Sequence, residues 1–224
     1  VTQSEFLDGE NAALVGNPSA GNWEVVLFRD AVENGDGSWQ VETFARGLRG
    51  TDVNAKTHDE GELFIVLQPE DMYSMELELG QLGNPREYKA VVDSSIPERA
   101  APRVHNHSGA DLKPYAPVHL DAQLDGSDNI NFSWVRRTRV GGELRDGVAR
   151  VPLGEDSEEY EVDILDGPGG STVRTLASNS PSVQYSNADI TSDFGSVPSE
   201  ISFVVHQMSS AVGRGFGREA TVAL

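Results

Sequence analysis

Asn129-Ile-Asn-Phe-Ser-Trp134 decides the fold class, because apolar Ile130, Phe132 and Trp134 alternate with polar Asn129, Asn131 and Ser133. Side chains of a strand point alternately to its two faces, so a period of two marks a strand buried on one side, as in an antiparallel sheet. Trp134 is large enough to fill the space between two such sheets. Working outward, Tyr160-Glu-Val-Asp-Ile164 repeats the pattern, and Gly167-Pro-Gly-Gly170 turns the chain into Thr172-Val-Arg-Thr-Leu176. Ser182–Tyr185, Ile201–Met208 and Glu219–Leu224 supply further strands, Ala116–Leu120 leads in, and Ser186–Phe194 alone suits a short helix. Strands recurring with turn signals between them predict a β-sandwich over 115–224.

Upstream, two β-rich runs, Trp23–Glu33 and Trp39–Phe44, flank Asn34-Gly-Asp-Gly37. That arrangement predicts a hairpin. In Arg46-Gly-Leu-Arg-Gly-Thr51 two glycines three apart predict a tight bend or bulge. Gly61–Leu67 reads as a buried strand ended by Pro69, Tyr73–Leu79 as an alternating strand, and Tyr88–Val92 as another after the Gly83-Asn-Pro85 turn. The expected organisation is therefore all-β: an N-terminal antiparallel β domain over 1–93, a Pro-rich connector over 94–114, and the sandwich over 115–224.

Composition narrows the function. The 224 residues carry 36 acidic against 17 basic side chains, a formal net charge of −19. Such a surface repels polyphosphate, which argues against nucleic acid as a partner. The longest apolar run, Leu63–Leu67, is far below the ~20 residues of a membrane-spanning helix. With no cysteine there is no thiol nucleophile, thiolate metal site or disulfide.

Chemistry-bearing patterns are sparse. His105-Asn-His107 places two imidazoles on one side of an extended segment, a weak metal candidate that Asp111 would have to assist. His58, His119 and His206 stand alone in sequence, the last two within strand patterns. Acidic pairs such as Asp59-Glu60, Glu155-Asp156 and Glu158-Glu159 follow from composition and read as solvated loops rather than a glycosidase pair. Gly213-Arg-Gly-Phe-Gly217 lacks the Lys-Ser/Thr ending of a phosphate cradle and reads as a turn. No catalytic residue and no cofactor is expected. Arg136, Arg137 and Arg139 form a cationic cluster in an acidic chain, suited to pairing with Glu155–Glu159 or with a neighbouring subunit.

The second half resembles a fibronectin type III domain in its Pro114-Tyr-Ala-Pro117 opening, in Trp134 of the second strand and Tyr160-x-Val-x-Ile164 of the third, and in Tyr185 and Ile201-x-Phe-x-Val205. A wider resemblance rests on six stretches: Phe44–Thr51, Pro114–Leu120, Phe132–Arg139, Val151–Asp156, Tyr160–Asp166 and Val212–Glu219. In order and spacing they look like the C-terminal part of the large tail-tip (baseplate hub, host-specificity) proteins of gene transfer agents and related siphophages. That resemblance implies a non-enzymatic structural role in the virion tail tip, assembled in the bacterial cytoplasm, with other tail-tip proteins and copies of itself as partners. It also implies that a chain opening at Val1 is the end of a longer polypeptide. The alternatives are a carbohydrate-binding module meeting host-surface polysaccharide through Trp23, Trp39 and Tyr115, and an accessory region of a cell-wall hydrolase. Trp23 and Trp39 flank one hairpin and are equally suited to a cross-strand core pair.

Overall fold

The computed structural model describes residues 1–72, 75–91, 96–142 and 151–224. The chain divides into two compact units, Val1–Ser74 and Met75–Leu224.

The first unit opens with α1 (Gln3–Leu7), a single turn that sequence periodicity is too short to announce. Thr2 and Glu5 cap it reciprocally: Thr2 Oγ1 accepts from the Glu5 amide and Glu5 Oε2 accepts from the Thr2 amide at 2.7 Å. Strands β1 (Ala12–Gly16), β2 (Glu24–Glu33), β3 (Trp39–Leu48) and β4 (Leu63–Val66) form an antiparallel sheet in the order β3-β2-β1-β4. The β2–β3 hairpin turns at the expected Asn34–Gly37, and its register shifts opposite Arg46-Gly47, so Gly47 marks a bulge, while Gly50 follows the strand and leads into the 3-10 turn Thr51–Asn54. Ala13, Val26 and Phe28 form the small core, with Val15 and Val41 packed against it and Phe64 edge-on to Phe28 at 5.6 Å. The expectation of a buried strand at Gly61–Leu67 is corrected. β4 is an edge strand, and its residues remain 40–48% exposed because only β1 pairs with it.

In the second unit β5 (Pro85–Tyr88) and β6 (Arg103–Asn106) form a two-stranded antiparallel ribbon. Residues 94–114, read from sequence as a connector, thus contain a strand, and they also hold short 3-10 turns at Pro97–Arg99 and Ala110–Leu112. Contacts with the sandwich hold this stretch in the second unit. Phe216 N–H donates to Pro114 O at 3.0 Å, and a Cβ on Gly109 would meet Leu82 and Val212 at 3.0 and 3.3 Å. Part of the alternating Tyr73–Leu79 pattern, Tyr73 and Ser74, lies outside the described residues. Its remainder is not a strand: Met75–Glu78 is irregular and Leu79–Gln81 is a 3-10 turn closed by Glu78 and Gln81. Met75 and Leu79 are both exposed, so the alternation has no sheet or core to face. The strand expected at Tyr88–Val92 instead ends at Tyr88, and Val92 lies outside the described residues.

The sandwich is built from β7 (Val118–Leu124), β8 (Ile130–Val135), β9 (Tyr160–Leu165), β10 (Thr172–Ser178), β11 (Ser182–Tyr185), β12 (Glu200–Ser209) and β13 (Gly213–Ala223), with α2 (Asn187–Phe194) between β11 and β12. Its sheets run β10-β9-β12-β13 and β11-β8-β7. Three strands against four in this order is the arrangement that a fibronectin type III-like domain requires. Ile130, Phe132 and Trp134 are buried and the residues between them exposed, as the alternation demands. Phe132 meets Phe203 at 4.5 Å and Trp134 meets Tyr160 edge-on at 5.1 Å, each pair joining the two sheets. Gly213–Gly217 is part of β13 and not the expected turn. Its glycines admit close neighbours: a Cβ on Gly215 would lie 2.6 Å from Pro114 O, and one on Gly217 2.4 Å from the His206 ring.

Candidate functional site

The densest polar arrangement in the first unit was not visible in sequence. Glu24, the first residue of β2, points into the sheet's packed side and is fully buried. A buried carboxylate is tolerable only when its lone pairs are occupied. Arg46 fills both oxygens, Nε to Oε1 at 3.2 Å and Nη2 to Oε2 at 2.5 Å. The Gly47 amide donates to Oε1 at 2.6 Å, which the bulge makes possible by holding Gly47 at φ +63°. His58 follows the 3-10 turn Thr51–Asn54, and its Nε2 lies 2.9 Å from Glu24 Oε2 while Nδ1 contacts Glu62. Asn22 completes the set, donating to Glu62 Oε1 at 2.8 Å and to Thr57 O at 3.1 Å.

Burial pushes the Glu24 carboxyl up, but the donors from Arg46, Gly47 and His58 outweigh it and leave it below the usual carboxylate range. The Asn22 amide, more than the adjoining His58, holds Glu62 low as well. The His58 ring thus bridges the two carboxylates, one at each nitrogen. Every oxygen of Glu24 is committed, so the arrangement is a staple. It ties the loop between β3 and β4 to the start of β2.

The second unit holds comparable networks. Asp163 on β9 is buried and receives both terminal nitrogens of Arg214, at 2.6 and 3.0 Å, together with the Thr175 hydroxyl at 2.5 Å. Arg174 on β10 binds Asp193 of α2 through Nε and Nη2, and the Tyr185 hydroxyl donates to the same carboxylate. These contacts seat α2 across the end of the sandwich.

The Arg cluster finds partners within the chain. Arg136 donates to the carbonyls of Val151 and Pro152, each at 2.6 Å, and stands 3.6 Å from Glu158. Arg139 pairs with Glu155 at 2.9 Å, and the Arg137 guanidinium lies over the Tyr115 ring at 5.2 Å. The acidic loop is divided among separate partners. Asp156 accepts from Ser210, Glu158 from Tyr160 and Glu159 from Ser157, so no two of these carboxylates share a described contact.

The three other histidines separate as well. His206 contacts the Gly215 carbonyl at 3.1 Å, whereas His119 is exposed at a β7 irregularity. His58, read as isolated, is the centre of the staple; Glu24 and Arg46, which complete it, lie 34 and 12 positions away in sequence. Trp23 and Trp39 are not a cross-strand pair: Trp39 faces Glu33 at the turn end of the hairpin, while Trp23 precedes its far end. His105 and His107 do come together, their rings 4.5 Å apart, with the Tyr88 hydroxyl 2.6 Å from His107 Nε2. Among the described residues no group of three or more His, Cys, Asp and Glu side chains is placed to hold a metal. No helix among them is long and apolar enough to cross a membrane.

A family model described as "Rcc01698-like, C-terminal" matches residues 1–65, which include every member of the Glu24 network. No curated protein matches the chain. Among solved structures it is similar to the FN5 domain of Drosophila Lar, at 16% identity over 49% of this chain and 95% of that one, TM-score 0.30. It is also similar to chicken CNTN1 FN1-FN3, at 13% identity over 100% of this chain and 58% of that one, TM-score 0.32. Rat CD45 domains d3-d4 align at 12% identity over 87% and 94%, TM-score 0.35. The strand order above carries the conclusion that the chain is all-β and ends in a fibronectin type III-like sandwich.

Proposed function

We propose that this chain is a structural, non-catalytic component of the tail tip of a phage-like particle, of the gene transfer agent or siphophage kind. The observation that carries the reading is the match of residues 1–65 to the Rcc01698-like family, a name linked to gene transfer agent proteins. It falls on the half of the chain that the fibronectin-like sandwich does not explain. The same assignment follows from the six-stretch resemblance, which runs through both halves. The site geometry is consistent with scaffolding: Glu24, Asp163 and Asp193 are all committed to arginines of their own unit.

On this reading the chain assembles in the bacterial cytoplasm and ends in the virion beside other tail-tip proteins and copies of itself. An epitope label on the chain, followed by purification and negative-stain imaging of particles, tests it. Label at the distal end of the tail is the expected result. Tailed particles that consistently lack the chain overturn it, and so does cell-wall hydrolysis by the purified chain.

A further inference from the structure

The β5–β6 ribbon segregates its side chains by charge. Directly opposed residues of an antiparallel pair share a face, as do residues two apart. Arg86 opposes His105 and Tyr88 opposes Arg103, so Arg86, Tyr88, Arg103 and His105 lie on one face, with Glu87 and Val104 on the other. His107 joins the first face through the Tyr88 hydroxyl and the His105 ring. In a chain with 19 excess negative charges, neither Arg86 nor Arg103 forms an ion pair among the described residues, although Arg46, Arg139, Arg174 and Arg214 all do. The face therefore offers two guanidiniums with no ion pair among the described residues beside a cluster of three rings; Arg86 and Tyr88 are half-buried and all of β6 is exposed.

We propose that this face binds a linear acidic polysaccharide, its carboxylates taken by Arg86 and Arg103 and its sugar rings laid against Tyr88, His105 and His107. A guanidinium offers donors only, in a fork that matches a carboxylate. A protein partner is disfavoured by size: a stable interface takes about 20–30 residues a side, and the ribbon has eight. A repeating polymer needs only a small footprint, because its many equivalent groups rebind. Screening over about 8 Å at physiological salt lets the patch act despite the acidic surface elsewhere. The inference stands on the ribbon's own chemistry and does not require the tail-tip reading.

The test is calorimetric titration of the whole chain with polygalacturonate, neutral dextran and a single-stranded oligothymidylate, in wild type and in R86S/R103S. Circular dichroism would check that the variant is folded. The expected result is binding to polygalacturonate alone, weakened about tenfold or more in the variant and by added salt. No binding, or equal binding by a folded variant, overturns the proposal, as does equal affinity for oligothymidylate. Salt-sensitive self-association abolished by R86S/R103S would assign the face to a second copy and overturn it too. If the variant unfolds, R86K/R103K replaces it. That pair keeps the charge without the fork and must still weaken binding, and unchanged affinity refutes the guanidinium role.

Discussion

Replacing Glu24 with Gln keeps the shape of the side chain and removes its charge, which isolates what the staple contributes. One oxygen of Glu24 faces the Gly47 amide and Arg46 Nε, and the other faces Arg46 Nη2 and His58 Nε2. With its NH2 toward the first oxygen's place the Gln amide confronts two donors; turned the other way it confronts Arg46 Nη2 and a His58 nitrogen whose role follows the ring's tautomer. One or two hydrogen bonds to the buried carboxylate are lost, each worth ~1.5–3 kcal/mol. Arg46 is about half exposed and recovers water, so the total is roughly 2–4 kcal/mol. Against the ~5–15 kcal/mol of a whole domain this is a large share, and the first unit has only a small core. Hydrogen exchange of the β1 and β2 amides over a urea series measures it. A loss below ~1 kcal/mol would refute the assignment of Glu24 as the buried centre.

The pH dependence has a definite sign. Glu24 and Glu62 are held below their unfolded values, near 4.3, so their contribution is full above that pH. It is lost as pH falls through the lower folded values. Wild-type amides of the first unit should therefore lose protection as pH falls below ~4.3, and Glu24→Gln should flatten that slope.

Trp134→Ala should cost the sandwich ~3–5 kcal/mol in urea unfolding, because the ring is buried against Tyr160 between the sheets. Gly215→Ala should destabilise it by ~1–3 kcal/mol, since the Pro114 and Gln207 carbonyls both press on the new methyl group. Gln207→Leu should raise the melting temperature: Gln207 is buried, and neither its amide oxygen nor its nitrogen has a hydrogen-bond partner among the described residues. Replacing Arg136, Arg137 and Arg139 with Ser should lower sandwich stability, through the lost bonds to Val151, Pro152 and Glu155. Unchanged stability with reduced DNA delivery would instead return the cluster to an intersubunit role.

How far the sequence could be read depended on how local the signal was. Ile130, Phe132 and Trp134 report their burial through their own alternation, and the Asn34–Gly37 turn joins strands that are neighbours in the chain, so the sandwich and the hairpin were legible. β4 misled because an apolar run says nothing of whether a strand has one neighbour or two, and Leu63–Val66 has only β1. Gly213–Gly217 misled because its glycines serve close packing against Pro114 and His206, while the chain reversal itself lies just before them.

The Glu24 staple lay beyond reach for a further reason. Its members are 22 and 34 positions apart, and each alone is an ordinary polar residue in an acidic chain. What makes Glu24 exceptional is its depth at the first position of β2, where the bulge at Arg46-Gly47 brings the Gly47 amide to its carboxylate. Gly47 gave the bulge away in sequence. What it could not tell is that the bulge sets an amide and a guanidinium against one carboxylate, and so creates the environment in which a buried carboxylate is stable.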